Sequence, residues 1–322
     1  MTGLKSCFAP HINGMLLQME KQGYKPNVYH FTLRDFDSFC AANYPGRTEL
    51  DREISENWLI MRENESMKTF YRRASNLRCF GRYLDSVGQN AYIVPVNFAR
   101  NPPKSEPYIF TDGEMSRIFE QIDKRPATIY QPYRNIILPV IFRLIYVCGL
   151  RPNEGRDLMA GDVNLKTGEL LIRRTKLHKD RVVVMSDEML ALCRKYNKLR
   201  LKFGADNEYF FPSYDGGPFA NRWLLREFKE CWIKANGGNT EIPNATVYFL
   251  RHRFASACLN KWLDEKRDVY NMLIYLRAYM GHSNIADTLY YVHLLPENLA
   301  KSAGIDWTAL KGIIPEVQFC ED

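Results

Sequence analysis

The sequence has no long uninterrupted apolar run, no Cys-x-x-Cys pair and no low-complexity tract. Its longest apolar stretch, IILPVIFRLIYVCGL, is broken by Arg143 and falls short of the roughly 18 residues that a membrane-spanning helix needs, so it predicts a buried helix. The opening segment, MTGLKSCFAP, contains no apolar signal core, and we therefore expect a cytoplasmic protein.

The eight cysteines are scattered along the chain. This spacing argues against a zinc module and predicts reduced thiols. His252, His282 and His293 also match no zinc-ligand spacing. We therefore expect no metal site in this protein.

The composition is that of a globular protein with a mild basic excess. Its 322 residues are enough for two domains with their own cores. A hydrophobic content of 46% and an aromatic content of 13% argue against wholesale disorder. The formal net charge of +7 is compatible with a polyanionic partner but does not identify one.

The segment from Ser66 to Gly88 has the clearest amphipathic pattern in the N-terminal part, which reads as helices separated by polar breaks. At about 100° per residue, one side of this predicted helix is apolar and carries Phe70, Ala74, Leu77, Phe80, Leu84 and Val87. The opposite side carries the cations Lys68, Arg72, Arg78 and Arg82. Such a face is either simply solvated or forms a stripe that follows DNA phosphates, and the pattern does not decide between the two.

A proline-containing stretch, FARNPPKSEPYIFT, predicts a linker after these helices. Beyond it we expect a buried helix over about residues 131–148, a short helix opening at Pro152, two β-strands within GELLIRRTKLHKDRVVVMS, and further helices from about Asp187. The predicted fold class is mostly α with a small β-sheet (α+β). The predicted units are a helical domain at 1–100, a linker at 101–110, a second domain at 111–305 and a tail at 306–322.

Four separate segments contain groups that suit one reaction. GLRPNEGRDL places Arg151 between the end of one helix and the start of the next, and RRTKLHKDR places Lys176 in the turn between the two strands. YFLRHRFA places Arg251 at the start of a helix, and MGHSNIADTLYYVHL contains His282 and Tyr291. Each segment alone is weak evidence, because a single cation or histidine is more often a surface or structural residue.

Taken in this order, the segments resemble the tyrosine recombinases, the family of phage integrases and chromosome-dimer resolvases. That family has Arg, Lys, a His-x-x-Arg pair, His or Trp, and then Tyr. The matching positions here are Arg151, Lys176, Tyr248, Arg251, His282 and Tyr291, with Glu154 at the usual acidic position. The likeness covers the whole chain, as a core-binding domain followed by a catalytic domain, although only the catalytic motifs are specific.

The sequence departs from the family pattern in two places. Tyr248 stands where the family has histidine, and a tyrosine can donate a hydrogen bond but is a poor base near neutral pH. The segment between Arg251 and His282 is also several residues longer than usual. His252, which follows the second arginine, is expected to pack in the core or to support the site.

The resemblance implies a reaction without a metal, ATP or any other cofactor. Tyr291 would attack a phosphodiester and form a 3′-phosphotyrosine, while Arg151 and Arg251 hold the phosphate oxygens. Lys176 would protonate the departing 5′ oxygen, with Lys179 as the second candidate. Lys179 is also a candidate DNA-binding residue, since the cations of this turn either touch DNA or are simply solvated. Tyr290 lies about 100° round the same helix from Tyr291 and is expected in the core or on the helix surface.

The resemblance also implies the partners of this chemistry. They are double-stranded DNA with a core recombination site, further copies of the chain in a tetramer on DNA linked by the tail at 306–322, and, in some systems, an accessory DNA-bending protein. The expected role is integrase- or transposase-like recombination of a mobile genetic element through a Holliday junction, in the cytoplasm at the nucleoid, with integration, excision and resolution all left open by the sequence. Two alternatives are a type IB-like topoisomerase and a catalytically impaired DNA-binding protein on the same fold.

Overall fold

The computed structural model describes residues 3–24, 26–102, 107–173, 180–202 and 208–292. The chain divides into two compact units, Met1–Ser105 and Glu106–Asp322. This boundary falls inside the linker proposed at residues 101–110. Within the described ranges, every helix is too short or too polar to cross a membrane.

The first unit is helical. Its helices are α1 (Ala9–Lys21), α2 (Asn27–Asn43), α3 (Arg52–Trp58) and α4 (Met67–Ser86), followed by a short 3₁₀ turn at Val96–Phe98. The predicted start of α4 is capped by Ser66, whose hydroxyl accepts a hydrogen bond from the backbone N–H of Thr69. A cluster of aromatic rings forms the centre of the core, where Phe36 lies 5.6 Å from Phe8 and 6.1 Å from Phe80 between ring centroids.

Helix α4 confirms most of the predicted amphipathic pattern, with two differences. Ala74, Leu77, Phe80 and Leu84 are buried, whereas Val87 is exposed at the end of the helix. Arg78 is buried, and its guanidinium donates hydrogen bonds of 2.7 Å to the backbone carbonyls of Val94 and Pro95. The prediction that Arg78 lies on the exposed face is wrong, because the chain after α4 returns across this side of the helix. Exposed cations remain at Lys68, Arg72 and Arg82.

The second unit combines helices with one small sheet. Its helices are α5 (Asp112–Asp123), α6 (Arg134–Val147), α7 (Pro152–Arg156), α8 (Asp187–Lys202), α9 (Asn221–Ala235), α10 (Tyr248–Asp264), α11 (Val269–Met280) and α12 (Ala286–Val292). Strands β1 (Glu169–Ile172) and β2 (Arg181–Val184) pair antiparallel, with Glu169 opposite Val184 and Ile172 opposite Arg181. The predicted fold class, mostly α with a small β-sheet, is confirmed.

Helix α6 is the centre of the larger core, as its apolar sequence predicts. Ile137, Leu138, Ile141 and Phe142 on α6 are buried. The helix ends before Gly149, whose φ of +58° lies in the left-handed region, and a Cβ at this position would come within 2.4 Å of the Phe254 ring. The sharp turn therefore requires glycine, and it directs the chain into the segment that carries Arg151.

A smaller core is formed by α10, α11 and α12. Its buried members are Ala255, Leu259, Val269, Leu273, Leu276, Met280, Leu289 and Tyr291. Because α12 is short, packing against this cluster rather than helix propensity must hold it in place. The last described helix is thus seated against the helix that carries Arg251.

Candidate active site

Arg151 lies at the junction between α6 and α7, as predicted. Its Nη1 donates a 2.7 Å hydrogen bond to Oε1 of Glu154, and its backbone N–H donates a 2.8 Å bond to Oε2 of the same carboxylate. Its Nη2 donates a 2.8 Å bond to the carbonyl of Gly281, which follows α11. The side chain is 23% exposed, so part of the guanidinium remains open to an incoming anion.

Arg251, in the first turn of α10, is fully buried. Its Nη1 donates a 2.6 Å hydrogen bond to the carbonyl of Gly149, and its Nη2 donates to the carbonyl of Met280. The same Nη2 lies 3.0 Å from Nε2 of His282. Its Nε has no hydrogen-bond partner among the described residues. The carbonyls that follow α6 and end α11 therefore hold this guanidinium in place.

Arg181, the first residue of β2, was missed by sequence reasoning. It makes a two-pronged contact with Glu154, from Nη1 to Oε1 at 2.9 Å and from Nη2 to Oε2 at 2.7 Å. Its Nε donates a 2.8 Å bond to the carbonyl of Tyr279. The one local signal was a cation that opens the otherwise apolar strand RVVV. Arg181 joins the small sheet to the carboxylate beside Arg151.

Gly281 of the Gly-His motif makes room for Arg181. Its φ is +65°, and a Cβ there would lie 3.1 Å from Nη1 of Arg181. A side chain at this position would therefore be strained by its backbone conformation and would press on the guanidinium that holds Glu154. The glycine turns the chain so that His282 faces Arg251.

Glu154 is almost buried and carries a negative charge. Burial alone would raise its pKa, but the hydrogen bonds and charge of Arg181, the backbone N–H of Arg151 and the charge of Arg251 lower the pKa to about 2. Arg251 Nη1 lies 3.9 Å from Oε2 of this carboxylate. Glu154 therefore anchors the arginines of the site without being available as a proton donor near neutral pH.

His282 is held from both ring nitrogens. Its Nε2 faces Arg251, and its Nδ1 lies 2.8 Å from the hydroxyl of Thr288. Burial, together with the charges of Arg251, Arg151 and Arg181, lowers the pKa of His282 to about 3. The imidazole is consequently neutral near neutral pH.

Tyr291 is buried on α12, with 2% of its surface exposed. Its ring stacks on His282 at a centroid distance of 6.0 Å and an angle of 18°, and it packs against His252 at 5.2 Å. Burial raises the pKa of Tyr291 to about 12, although the charge and hydrogen bond of Arg251 act in the opposite direction. The neighbouring Tyr290 is half-buried, and its ring meets the ring of Tyr291 edge-on at a centroid distance of 6.2 Å.

Tyr248 and His252 lie one turn apart on α10, next to the tyrosine stack. Their rings are 5.1 Å apart, and, against the effect of burial, Tyr248 is, after Glu154, one of the groups that raise the pKa of Arg151. Burial, with the charge of Arg251, lowers the pKa of His252 to about 4, and its Nδ1 has no hydrogen-bond partner in the described part of the chain. His252 therefore contacts both Tyr248 and Tyr291. This position agrees with the expectation that His252 packs in the core or supports the site.

The structure thus brings together the predicted residues from three regions of the chain, namely Arg151, Tyr248, Arg251, His282 and Tyr291. Lys176 and Lys179 lie outside the described residues. The sequence of the second unit agrees with this geometry, since residues 109–298 match the model of the phage integrase family. The chain belongs to the phage integrase family.

Known proteins similar to this integrase-family chain include recombinases from several sources. Tyrosine recombinase XerC of Lactobacillus leichmannii is 27% identical over 264 residues, covering 80% of this chain and 82% of the relative. The XerH site-specific recombinase bound to a palindromic difH substrate has a TM-score of 0.63 at 20% identity, covering 88% of this chain and 79% of XerH. The Tn1549 transposon integrase in complex with circular intermediate DNA has a TM-score of 0.62 at 17% identity, covering 87% of this chain and 94% of the integrase chain.

The two structures share the fold of this integrase-family chain. The family match across more than half of the chain carries the assignment of activity class: the protein is a site-specific recombinase of the tyrosine type.

Proposed function

We propose that this tyrosine recombinase cuts and rejoins double-stranded DNA through a 3′-phosphotyrosine and a Holliday-junction intermediate. The observation that carries the proposal is the convergence of Arg151, Arg251 and His282 beside the buried Tyr291. A phosphodiester is anionic, and charge builds on its oxygens during attack. Planar guanidiniums are suited to bind those oxygens with two hydrogen bonds.

The arginines are already oriented before DNA arrives. Arg151 and Arg251 donate to the carbonyls of Gly149, Met280 and Gly281. A phosphate oxygen would replace or share these acceptors. Donors whose direction is fixed in advance stabilise the transition state most effectively, each by roughly 10²–10³ in rate.

The attack forms a bond between Oη of Tyr291 and phosphorus and breaks the bond from phosphorus to the 5′ oxygen. The phenol must lose its proton, and the 5′ oxygen must gain one. In the DNA-free arrangement burial keeps the phenol protonated, because its pKa is raised to about 12. Attack therefore requires a proton acceptor beside Tyr291 once the phosphate is bound, and a non-bridging phosphate oxygen is suited to take the phenol proton as the new bond to phosphorus forms.

Lys176 is proposed as the donor that protonates the 5′ oxygen, with Lys179 as the alternative. Both residues lie outside the described ranges, between Arg173 and Asp180. Strands β1 and β2 pair on either side of this segment, and Arg181 fastens the start of β2 to Glu154. The attachment of the sheet to the site supports a donor from this segment.

The proposed partners are double-stranded DNA with a core recombination site and further copies of the chain. XerH and the Tn1549 integrase, which share this fold, were solved with difH and with circular intermediate DNA. In the first unit, the exposed cations Lys68, Arg72 and Arg82 on α4 are proposed to contact DNA phosphates. A tetramer joined by the tail at 306–322, an accessory DNA-bending protein and a role in moving a genetic element complete the proposal.

A suicide DNA substrate tests the central claim. Its nick next to the cleavage site lets a short strand diffuse away, so that the covalent adduct accumulates. Wild-type protein and the matched control Tyr290→Phe should form a protease-sensitive adduct. Tyr291→Phe should bind the same DNA and form none, because the substitution removes only the attacking oxygen.

The result identifies the nucleophile and separates a recombinase from a catalytically impaired DNA-binding protein. An adduct with Tyr291→Phe but none with Tyr290→Phe would move the nucleophile by one residue. DNA binding without an adduct in wild-type protein would leave a DNA-binding protein on this fold and refute the recombinase mechanism.

A further inference from the structure

Thr288 is a buried hydroxyl next to the active site that the family pattern does not use. It lies on α12, three residues before Tyr291, and has no exposed surface. Its Oγ1 lies 2.8 Å from Nδ1 of His282. A threonine buried completely in an apolar cluster is costly unless its hydroxyl has a partner, and the partner here is the site histidine.

The hydrogen bonds determine which nitrogen of His282 carries the proton. A guanidinium has only donors, so Nε2 of His282 must accept the bond from Nη2 of Arg251. A neutral imidazole then carries its hydrogen on Nδ1, and Nδ1 donates to Oγ1 of Thr288. The low pKa of His282, which burial and Arg251 cause, agrees with a neutral ring.

We propose that Thr288 is a positioning residue that fixes the tautomer and ring orientation of His282, so that Nε2 is presented as an acceptor on the side of Arg251. A ring that is held only at Nε2 could rotate about its Cβ–Cγ bond or exchange tautomers. The second bond, on the opposite side of the ring, prevents both. With Nε2 unprotonated, His282 offers an acceptor beside Arg251 and the ring of Tyr291, and Thr288 acts through His282.

The position of Thr288 adds a coupling between two parts of the site. Thr288 and Tyr291 share the short helix α12, Ala286–Val292. Any shift of this helix that brings Tyr291 toward DNA also moves the hydroxyl that orients His282. The orientation of His282 is therefore coupled to the position of the nucleophile. This consequence for catalysis rests on the proposed function, whereas the tautomer itself does not.

The tautomer can be measured without DNA. In protein labelled with ¹⁵N-histidine, NMR of the ring nitrogens should show His282 of the wild-type protein protonated at Nδ1 and unprotonated at Nε2, with His282→Asn identifying its signals. Thr288→Val keeps the shape of the side chain and removes the hydroxyl, so the Nδ1–H form should give way to a mixture or to the Nε2–H form. Thr288→Ser restores the hydroxyl and should retain Nδ1–H.

The rate of DNA cleavage supplies a second measurement. On the suicide substrate, Thr288→Val should cleave roughly tenfold more slowly in single turnover with unchanged DNA affinity, and Thr288→Ser should stay within about twofold of wild type. A wild-type His282 protonated at Nε2 would overturn the positioning role even if Thr288→Val failed to fold, and so would an unchanged tautomer in Thr288→Val. If instead wild-type protein showed the Nδ1–H tautomer but formed no DNA adduct, the proposed function would fail and the positioning role would stand.

Discussion

The second unit contains two groups of paired arginine and glutamate side chains. The two groups balance their charge differently. In the first, Arg125 and Arg134 both donate to Oε2 of Glu227, which is 1% exposed, and Arg125 also pairs with Glu230. This group joins the ends of α5 and α6 to α9. In the second group, Glu154 pairs closely with Arg151 and Arg181, whereas Arg251 is 3.9 Å from the carboxylate.

The difference lies in what remains after pairing. In the first group two carboxylates face the closely paired guanidiniums of Arg125 and Arg134, and a third guanidinium, that of the exposed Arg226, lies 3.9 Å from Glu227, so its positive charge is nearly balanced. In the second, three guanidiniums face one carboxylate, and Arg251 is held by neutral carbonyls and by His282. The pKa values reflect this: burial raises the pKa of Glu227 despite Arg125, whereas Arg181 and its neighbours lower the pKa of Glu154 to about 2. A group with an excess of positive charge is arranged to receive an anion; a balanced group is arranged to stabilise the fold.

The largest expected effect is loss of DNA cleavage when an arginine of the second group, around Glu154, is replaced. Arg251→Lys keeps the charge and removes the planar fork, so cleavage of the suicide substrate should slow by roughly 10²–10³. The matched change Arg125→Lys in the balanced group should lower the melting temperature and leave the cleavage rate of the folded protein near wild type. Equal losses of cleavage in both variants would show that the two groups do not differ as their charge balance indicates.

A smaller effect is expected at Tyr248, which lies next to Arg151 at the edge of the group around Glu154. Tyr248→Phe removes only the phenol hydroxyl and should slow cleavage by a modest factor, about tenfold, since one hydrogen bond to a charged group contributes roughly 1.5 kcal/mol or more. Tyr248→His restores the family residue and should retain or raise activity. Complete loss of cleavage in Tyr248→His would mean that the pocket is shaped around the phenol.

The smallest effect concerns cations outside the site. Replacing both Lys68 and Arg72 with glutamine should weaken binding to all DNA sequences about equally. It should also reduce the slope of log affinity against log salt by about one per lost phosphate contact. Lys21→Gln, at an exposed position on α1, is the control and should change the slope little. An unchanged slope in the double variant would show that the cations on this face of α4 are simply solvated and do not contact DNA phosphates.

Arg78 differs from the exposed cations of α4, because its guanidinium already donates hydrogen bonds to the backbone carbonyls of Val94 and Pro95. The helical pattern placed it among the exposed cations, since a wheel considers only the positions along one helix. It could not show that residues 94–96 return across α4 and need donors for their carbonyls. In contrast, the buried residues Leu77 and Phe80 on the same helix were predicted correctly, because apolar periodicity is a local signal.

The candidate site shows the same division between local and long-range information. Arg151, Arg251, His282 and Tyr291 could be identified because each lies in a motif with a fixed local spacing, although only the fold brings them into contact. Arg181 and Thr288 could not, because their importance depends on partners far along the chain or on the exact direction of one hydroxyl. Arg181 meets Glu154 across 27 residues, and the pairing of β2 with β1, together with the bond from Arg181 to the carbonyl of Tyr279, fixes that approach.

The carbonyls that hold the arginines have a further consequence for how the protein meets its substrate. Gly149, Met280 and Gly281 place these carbonyls at the ends of α6 and α11, and the turns there depend on the left-handed glycines. A free arginine side chain has about 2 kcal/mol of rotational freedom to lose. In this molecule much of that conformational entropy is lost once, during folding. A phosphate that binds later therefore meets guanidiniums whose orientation is already fixed.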